Sequence, residues 1–557
     1  MDEKTAMAAY SRLAARIVMT VLALCLSVSA SLAEPIDARL ETVLDAAGED
    51  EETAVIVRFK KRVDVRRYRS RNRHVRRFRL VRELRRKAAA DSLDVKRLLR
   101  KTRKAKSLWL IEGLALTARS DVIREIALHP RVERILLDEK LSLALGEGGE
   151  PGVAEWNIDL VGAPELWDLG HRGAGVVVAS MDSGVDKGHP DLVDAWRGEV
   201  GGWYDPHGQH AEPYDKHGHG TWTMGIMLGG SAGGSAIGVA PDAEWIAAKI
   251  FNDQGESSYS AIHLSFQWLL DPDGDSSTDD APDLVNGSWG MGDYPGQCLY
   301  DFEEDITALT QADITVIFAA GNSGPDVGTS VSPANYTSTF SVGSINDQML
   351  VAPTSSRGPS ACGGALFPDV VAPGVNIRTS DRDLGQNNPY ASTSGTSFAA
   401  PHATGLVALL KSAFPTVSSP DLVLALQNSA IDLGPGGAEN DYGAGMINAV
   451  AAYDRLITVD GECPAGETDT DADGLPDSCD NCTLVPNPPQ RDTDDDGFGN
   501  ICDADFNDDG VVNFGDVGSF VSVFGTTDPD ADFNGDGVVN FGDVSILLMA
   551  FGLPPGP

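Results

Sequence analysis

The chain has 557 residues, of which 42 % are hydrophobic, and a formal net charge of −39. That length is too great for one compact domain, and that hydrophobic fraction is enough for a sizeable core. The charge is segregated: 28 Lys+Arg against 12 Asp+Glu from 51 to 140, but 11 against 62 from 141 to the end, so a basic arm precedes a strongly acidic body.

At the N-terminus, Arg12 and Arg16 precede the apolar run "IVMTVLALCLSVSASLA", and Ser31 and Ala33 form a small-x-small site before Glu34. The pattern predicts a secretory signal peptide over 1–33 and an extracellular or cell-surface product. Leu24 before Cys25 is larger than a lipoprotein cleavage site normally accepts. No other stretch is long and apolar enough to span a bilayer. Six cysteines remain after the signal: Cys298, Cys362, Cys463, Cys479, Cys482 and Cys502. An even number in an exported chain permits disulfides, with fifteen full pairings open.

Residues 34–147 read as a small α+β unit. "TAVIVRFK" is a strand. "LWLIEGLALTARSDVIREIALHPRVERILLDEK" reads strand, helix, strand. Between them, Val65 to Lys87 holds eleven arginines, one lysine and a single acid. Val75, Phe78, Leu80, Val81 and Leu84 recur there at helical intervals, which predicts an amphipathic helix with an arginine face. Composition alone makes this a candidate nucleic-acid patch. Its place in an exported segment ahead of an acidic body argues for a solvated face, a processing site, or a contact with that body.

"LGEGGEPG" at 145–152 is a linker by composition. From 153 to 458 short apolar runs alternate with helical ones: "GVVVASMD", "WIAAKIF", "DLVNGSWG", "ITVIFAAGN", "TFSVGSI" and "DVVAPGV". Near-continuous apolar runs are the mark of buried parallel strands in an α/β fold. Several end in Asp, Asn or Gly, at the strand ends where such sheets place their sites. The acidic run "DPDGDSSTDD" at 271–280 is a surface loop or a weak calcium site.

From 459 onward Asp, Asn and Gly dominate, and a twelve-residue pattern D-x-[DN]-x-D-G-x-x-[DN]-x-x-D occurs four times. Positions 1, 3, 5, 9 and 12 carry oxygen, and glycine at position 6 allows the sharp turn of an EF-hand-like calcium loop. The candidate ligands are Asp469, Asp471, Asp473, Asp477 and Asp480; Asp492, Asp494, Asp496, Asn500 and Asp503; Asp505, Asn507, Asp509, Asn513 and Asp516; and Asp532, Asn534, Asp536, Asn540 and Asp543. Aspartate at position 12 reaches less far than the usual glutamate.

Three stretches carry a reaction. "VASMDSGVD" puts Asp182 at a strand end, "HGHGTWTMG" offers His219 after a glycine-flanked turn, and "SGTSFAAPHATGLVALL" sets Ser397 at a helix start. Serine becomes a useful nucleophile when histidine takes its proton and a carboxylate fixes the imidazole. The helix N-terminus would favour a developing oxyanion. Pro401 is tolerable near the first turn. Asn322 in "FAAGNSG" is a further oxyanion donor. Each residue alone says little; their joint occurrence in glycine-rich contexts says much.

The motifs resemble those of the subtilisin-like serine proteases. Asp182-Ser183-Gly184 matches the Asp-Ser/Thr-Gly motif, His219-Gly220-Thr221 the His-Gly-Thr motif, and Gly395 to Pro401 the Gly-Thr-Ser-x-Ala-x-Pro motif. "VNGSWG" at 285–290 and "WYDPHGQHAEPYDKHGHGT" look most like the bacillopeptidase F branch. The resemblance implies a three-layer α/β/α peptidase domain with a mainly parallel sheet over 148–458. It also implies an inhibitory propeptide over 34–147, cut between about Lys140 and Glu155. By carry-over, Asp182 orients His219, His219 is the general base and acid, Ser397 is the nucleophile, and Asn322 helps form the oxyanion hole. Ser288, Trp289 and Gly290 would line the cleft and pair with substrate backbone. Trp222 departs from the pattern, where a second histidine is usual.

Residues 459–504 resemble thrombospondin type 3 repeats, which implies Cys482–Cys502 and Cys463–Cys479 bridges. Residues 505–557 resemble a type I dockerin, a calcium-binding module whose partner is a cohesin-like domain. The implied whole is a secreted, self-processing serine endopeptidase acting on proteins or peptides, with structural Ca2+ in its tail, its own propeptide as inhibitor, and no nucleic-acid partner. Two alternatives remain: a catalytically silent binding protein displayed through the tail, and an esterase or other acyl transferase on the same fold.

Overall fold

A computed structural model describes residues 35–48, 51–60, 62–68, 73–99, 102–143, 148–149, 155–382, 389–434 and 436–460; in the tail it describes 470–471, 482–486, 500–506, 512–526, 528, 531–533 and 538–551. The expected signal peptide lies outside these residues.

The first unit contains helix α1 (Ala38–Ala46), strand β1 (Glu52–Phe59), helix α2 (Arg73–Leu99), strands β2 (Arg103–Leu108) and β3 (Gly113–Arg119), helix α3 (Ser120–Ala127) and strand β4 (Val132–Leu137). The four strands form an antiparallel sheet in the order β2-β3-β1-β4. The two-residue period of β1 sorts its side chains. Val55, Val57 and Phe59 pack with Leu44, Ile123 and Ile126 in a core of the unit's own. Ile56 faces the other way and joins Leu80, Val81 and Leu84 of α2 in a second core.

That second core belongs jointly to the large body, whose Ile262, Phe266 and Leu269 contribute to it. Burying one such aliphatic side chain stabilises by about 1.5–3 kcal/mol, whereas an exposed ion pair contributes about 0–1 kcal/mol. The apolar stripe therefore holds α2 in place, and its arginines act where they too are buried. From Arg73 on the run is an α-helix as expected, after a single 3-10 turn at Val65–Tyr68, but its arginine face is not simply solvated: Arg77 is 4 % exposed.

Two short strands, β5 (Lys140–Ser142) and β6 (Gly148–Gly149), lead into the body. There follow α4 (Trp156–Leu160), α5 (Ala163–Asp168), β7 (Val177–Asp182), β8 (Trp203–Tyr204), α6 (His219–Leu228), β9 (Glu244–Lys249), β10 (Glu256–Ser258), α7 (Tyr259–Leu269), β11 (Leu284–Gly287), α8 (Glu303–Gln311), β12 (Thr315–Ala319) and β13 (Phe340–Ile345). The remainder is β14 (Val370–Pro373), β15 (Ile377–Ser380), β16 (Tyr390–Thr393), α9 (Thr396–Ala413), α10 (Ser419–Asn428) and α11 (Ala449–Asp460).

Seven strands form one sheet in the order β14-β13-β12-β11-β7-β9-β8, parallel at every pairing. Leu406, Leu409 and Leu410 of α9 cover one face. Helices α7 and α8 cover the other through Ile262, Phe266, Ile306 and Leu309. Helices on both faces explain why these strands read as unbroken apolar runs. β15 pairs with β16, and β16 with β6, so part of the glycine-rich linker is a strand. A Cys298–Cys362 disulfide closes a sequence separation of 64. Among the described residues no helix is long and apolar enough to cross a membrane.

In the tail, α12 (Phe514–Val523) and α13 (Phe541–Ala550) are near copies. Asn513 and Asn540 each accept a backbone N–H at 2.7 Å, and Asp516 and Asp543 accept the N–H of those asparagines. This capping box puts loop positions 9 and 12 at each helix start. Phe520, Phe533 and Leu547 form a small core between the units. Cys482 is bonded to Cys502, as the resemblance implies, whereas Cys463 and Cys479 lie outside the described residues.

Candidate active site

Strand β7 ends on Asp182 and helix α6 begins on His219. His219 Nδ1 lies 2.8 Å from Asp182 Oδ1, and both side chains are 1 % exposed. Burial alone would push the imidazole down, but the charge and hydrogen bond of Asp182, with Asp215 behind, raise it above its ordinary 6.5. The two elements touch because Gly220 lacks a side chain: a Cβ there would sit 2.1 Å from the Gly184 carbonyl oxygen.

Asp215 was not among the sequence candidates. Its Oδ1 accepts from Ser183 Oγ at 2.9 Å, and its Oδ2 accepts from Thr221 N at 3.0 Å and Thr221 Oγ1 at 2.8 Å. Ser183 Oγ in turn accepts from Gly220 N at 2.9 Å. One buried carboxylate thus ties the Asp182 turn to the first turn of α6. The available signal was an acid four residues ahead of a helix start, the ordinary pattern of a helix N-terminus.

Ser397 is the second residue of α9, beyond Gly395 at φ 144°. Pro401 lies near the first turn, as expected, but already in the second turn of α9, where a helical N–H would be bonded. Its missing N–H leaves the Ser397 carbonyl without the helical partner. The hydroxyl of Ser288 donates to that carbonyl at 2.8 Å, which corrects the expected reason for tolerance. Ser397 Oγ donates to the Ser288 carbonyl at 3.3 Å. Nε2 of His219 is buried and makes no hydrogen bond. Catalytic hydrogen bonds are commonly loose without substrate and tighten when it binds.

Asn322 follows β12, and its Oδ1 accepts from Thr396 N and Thr396 Oγ1, both at 3.0 Å. Those bonds fix the amide so that its NH2 end is left for the cleft. Asn322, Ser397, Ser288, Trp289 and Gly290 all line a cavity of about 290 Å³. The Trp289 ring itself turns inward, packing edge-on to Phe302 and Phe318. The same cavity is lined by Leu141 and Leu143 from the first unit. Strand β5 enters there and pairs antiparallel with β10, and Leu143 N donates to Gly255 O at 2.9 Å.

Trp222 packs at a tilt near His219 and Phe398, with ring centroids 6.1 Å from each, and its Nε1 donates to Asp381 Oδ1 at 2.8 Å. His402 is buried and neutral, pushed down to about 4 by burial. Among the described residues, one carboxylate cluster has spacing that would suit a metal ion: Asp271, Asp273 and Asp280 in the 271–280 loop. Burial pushes Asp280 up to about 6, and Asp271 is ion-paired with Arg85 at 2.6 Å.

The tail candidates divide. Asp471, Asn500, Asp503, Asp505, Asn513, Asp516, Asp532, Asn540 and Asp543 are described, and Asn500, Asp503, Asp505, Asp516, Asp532 and Asp543 are buried. Asp469, Asp473, Asp477, Asp480, Asp492, Asp494, Asp496, Asn507, Asp509, Asn534 and Asp536 lie outside the described residues.

The Subtilase family model matches residues 173–445. Subtilisin Savinase of Lederbergia lenta is 33 % identical over 298 residues, covering 53 % of this chain and 97 % of that protein. Serine protease AprX of Bacillus subtilis is 35 % identical over 303 residues, covering 50 % of this chain and 66 % of that protein. Bacillopeptidase F of Bacillus subtilis is 34 % identical over 386 residues, 63 % of this chain, and the match spans 26 % of its length. The parallel sheet, the Asp182–His219 pair at its strand ends, Ser397 at the start of α9 and these likenesses lead to one assignment: the chain belongs to the subtilase family of serine peptidases.

Proposed function

We propose that the chain is an exported serine endopeptidase, made as a self-processing zymogen and carrying a calcium-stabilised tail. The observation that carries this reading is the hydrogen-bonded Asp182–His219 pair in a body that brings Ser397, Asn322 and Ser288 to one cleft.

In this reading His219 Nε2 takes the Ser397 proton as Oγ attacks the scissile carbonyl. Asp182 holds the Nδ1–H and stabilises the imidazolium. The oxyanion accepts from the Asn322 NH2 and from backbone N–H at the start of α9, where the helix dipole favours negative charge. His219 then gives its proton to the leaving amine, and the acyl group remains on Oγ. Water, deprotonated by His219, attacks the ester and restores Ser397. The backbone of 288–290 pairs with substrate.

Residues 34–147 act as the inhibitor. Strand β5 lies where a substrate strand would lie, and cleavage falls between 140 and 155. For the tail, buried carboxylates need a counter-charge. Arg491 is the one Lys or Arg from 459 to the end, so the tail is strongly acidic. Asp505, Asn513 and Asp516, and Asp532, Asn540 and Asp543, fit a hard oxygen-seeking cation. Bound calcium would neutralise these carboxylates and hold each loop against its helix. Phe514 and Phe541 are exposed at equivalent positions and offer a near-symmetric face to a cohesin-like partner.

The test compares wild type and Ser397→Ala. Losing the nucleophile of such a triad typically costs about 10⁶ in kcat. Wild type should cleave casein and shed 34–147 by intact mass, while Ser397→Ala should do neither. If both kept the segment and neither cleaved casein, a silent binding protein would be the better reading.

A further inference from the structure

Arg77 of α2 makes five hydrogen bonds across the boundary between the two units. Its Nε donates to Ala312 O at 2.9 Å; Nη1 donates to Asp279 Oδ1 at 2.9 Å and Ala281 O at 3.3 Å; Nη2 donates to Pro282 O at 3.0 Å and Asp313 O at 3.4 Å. All five acceptors belong to the body. One turn earlier, Arg73 pairs with Asp283, whose other oxygen accepts from Val177 N at 2.8 Å. Burial, then Arg73, draws the Arg77 guanidinium down to about 10, so it stays charged at physiological pH.

The receptor is made of backbone. Ala312 and Asp313 follow the C-terminus of α8, and Ala281 and Pro282 precede β11. Carbonyls at a helix end lack intrahelical partners and carry the negative end of its dipole. Four carbonyls and a carboxylate around one point match the planar fork of a guanidinium, which an ammonium cannot span. The pocket sits at the start of the parallel strands, whereas Asp182, Ser288 and Asn322 sit at their ends. The first unit is therefore attached at both ends of the sheet: by β5 in the cleft and by Arg77 at the far side.

We infer that the carbonyl pocket of Ala281, Pro282, Ala312 and Asp313, with Asp279 at its rim, is a guanidinium-binding exosite whose occupant is Arg77, and that it retains the 34–147 segment after the chain is cut. The inference rests on the zymogen reading. Cutting between 140 and 155 leaves every bond of Arg77 intact. Once the segment leaves, the same pocket is open to an arginine of another protein or of a second copy of the segment.

The test uses the full Ser397→Ala chain, nicked between 140 and 155 by traces of wild-type protein, then separated by gel filtration with mass spectrometry of the peaks. The segment should co-elute with the body. Methylguanidinium chloride should release it at concentrations where methylammonium chloride of equal ionic strength does not. Arg77→Lys should release it about tenfold faster, because charged hydrogen bonds are lost while the charge is kept. Arg86→Ala, whose partner Glu83 lies on its own helix, should behave as the parent. Equal retention in Arg77→Lys and parent, with no difference between the two salts, would overturn the exosite. The salt comparison needs no substitution at Arg77, so misfolding of that variant cannot decide the outcome. Failure of the zymogen reading looks different: casein cleavage by wild type would be the same before and after the segment is shed.

Discussion

Asp138 of the first unit accepts both the backbone N–H of Ser260, at 2.8 Å, and its hydroxyl, at 2.6 Å. Ser260 lies in the first turn of α7, where N–H groups lack helical partners. A side chain of the proposed inhibitor thus completes a helix of the peptidase body, and Glu139 O accepts Tyr259 N at 3.0 Å beside it. Asp138→Ala removes an acceptor of the kind whose loss costs on the order of 1 kcal/mol. That weakens retention of 34–147 about fivefold. The lag before casein cleavage should shorten in full-length Asp138→Ala, with the final rate unchanged.

Activity should depend on pH through His219. The neutral imidazole accepts the Ser397 proton, and Asp182 raises the pKa above 6.5. kcat/KM should therefore rise as pH increases through that raised value. Asp182→Asn removes the counter-charge, so the acid limb should move to lower pH while kcat falls by about 10⁴. An acid limb that stays put in pH–rate profiles of the variant would exclude His219 as the titrating base.

Asn322→Ala should lower kcat by about 10²–10³ with KM little changed, since the NH2 meets charge that exists only in the transition state. Thermal unfolding of the variant should fall slightly as well, because Thr396 N and Thr396 Oγ1 lose their acceptor. A variant with normal kcat would remove Asn322 from the oxyanion hole.

Chelation should act on the tail. Without a cation the buried carboxylates repel, and metal binding is coupled to folding. EDTA should expose 505–557 to added trypsin-independent proteases such as proteinase K and reduce helix content, with calcium restoring both. Identical digestion patterns with and without EDTA would count against the loops as calcium sites.

Much of the site was legible from local pattern. Asp182, His219 and Ser397 stand where a strand end, a glycine turn and a helix start were expected. All six quoted apolar runs of the body are strands of the parallel sheet. Strand and helix periods arise within a few residues, so they survive in one sequence. The helix over the arginine run was legible for the same reason.

What escaped was set by residues far apart in the chain. Asp215 looks like any acid before a helix until Ser183 and Thr221 are brought to it. Pro401 and Ser288 are 113 positions apart, yet the hydroxyl of one answers the carbonyl that the other exposes. Cys298 and Cys362 carry no local sign of their bond. The arginines show the division most clearly. Eleven of them in one run announced a charged helix, but period alone could not tell which faced water. Packing of Leu80, Val81 and Leu84 against the body turned Arg77 inward, to carbonyls whose polarity is the same in every protein and so leaves no mark in sequence.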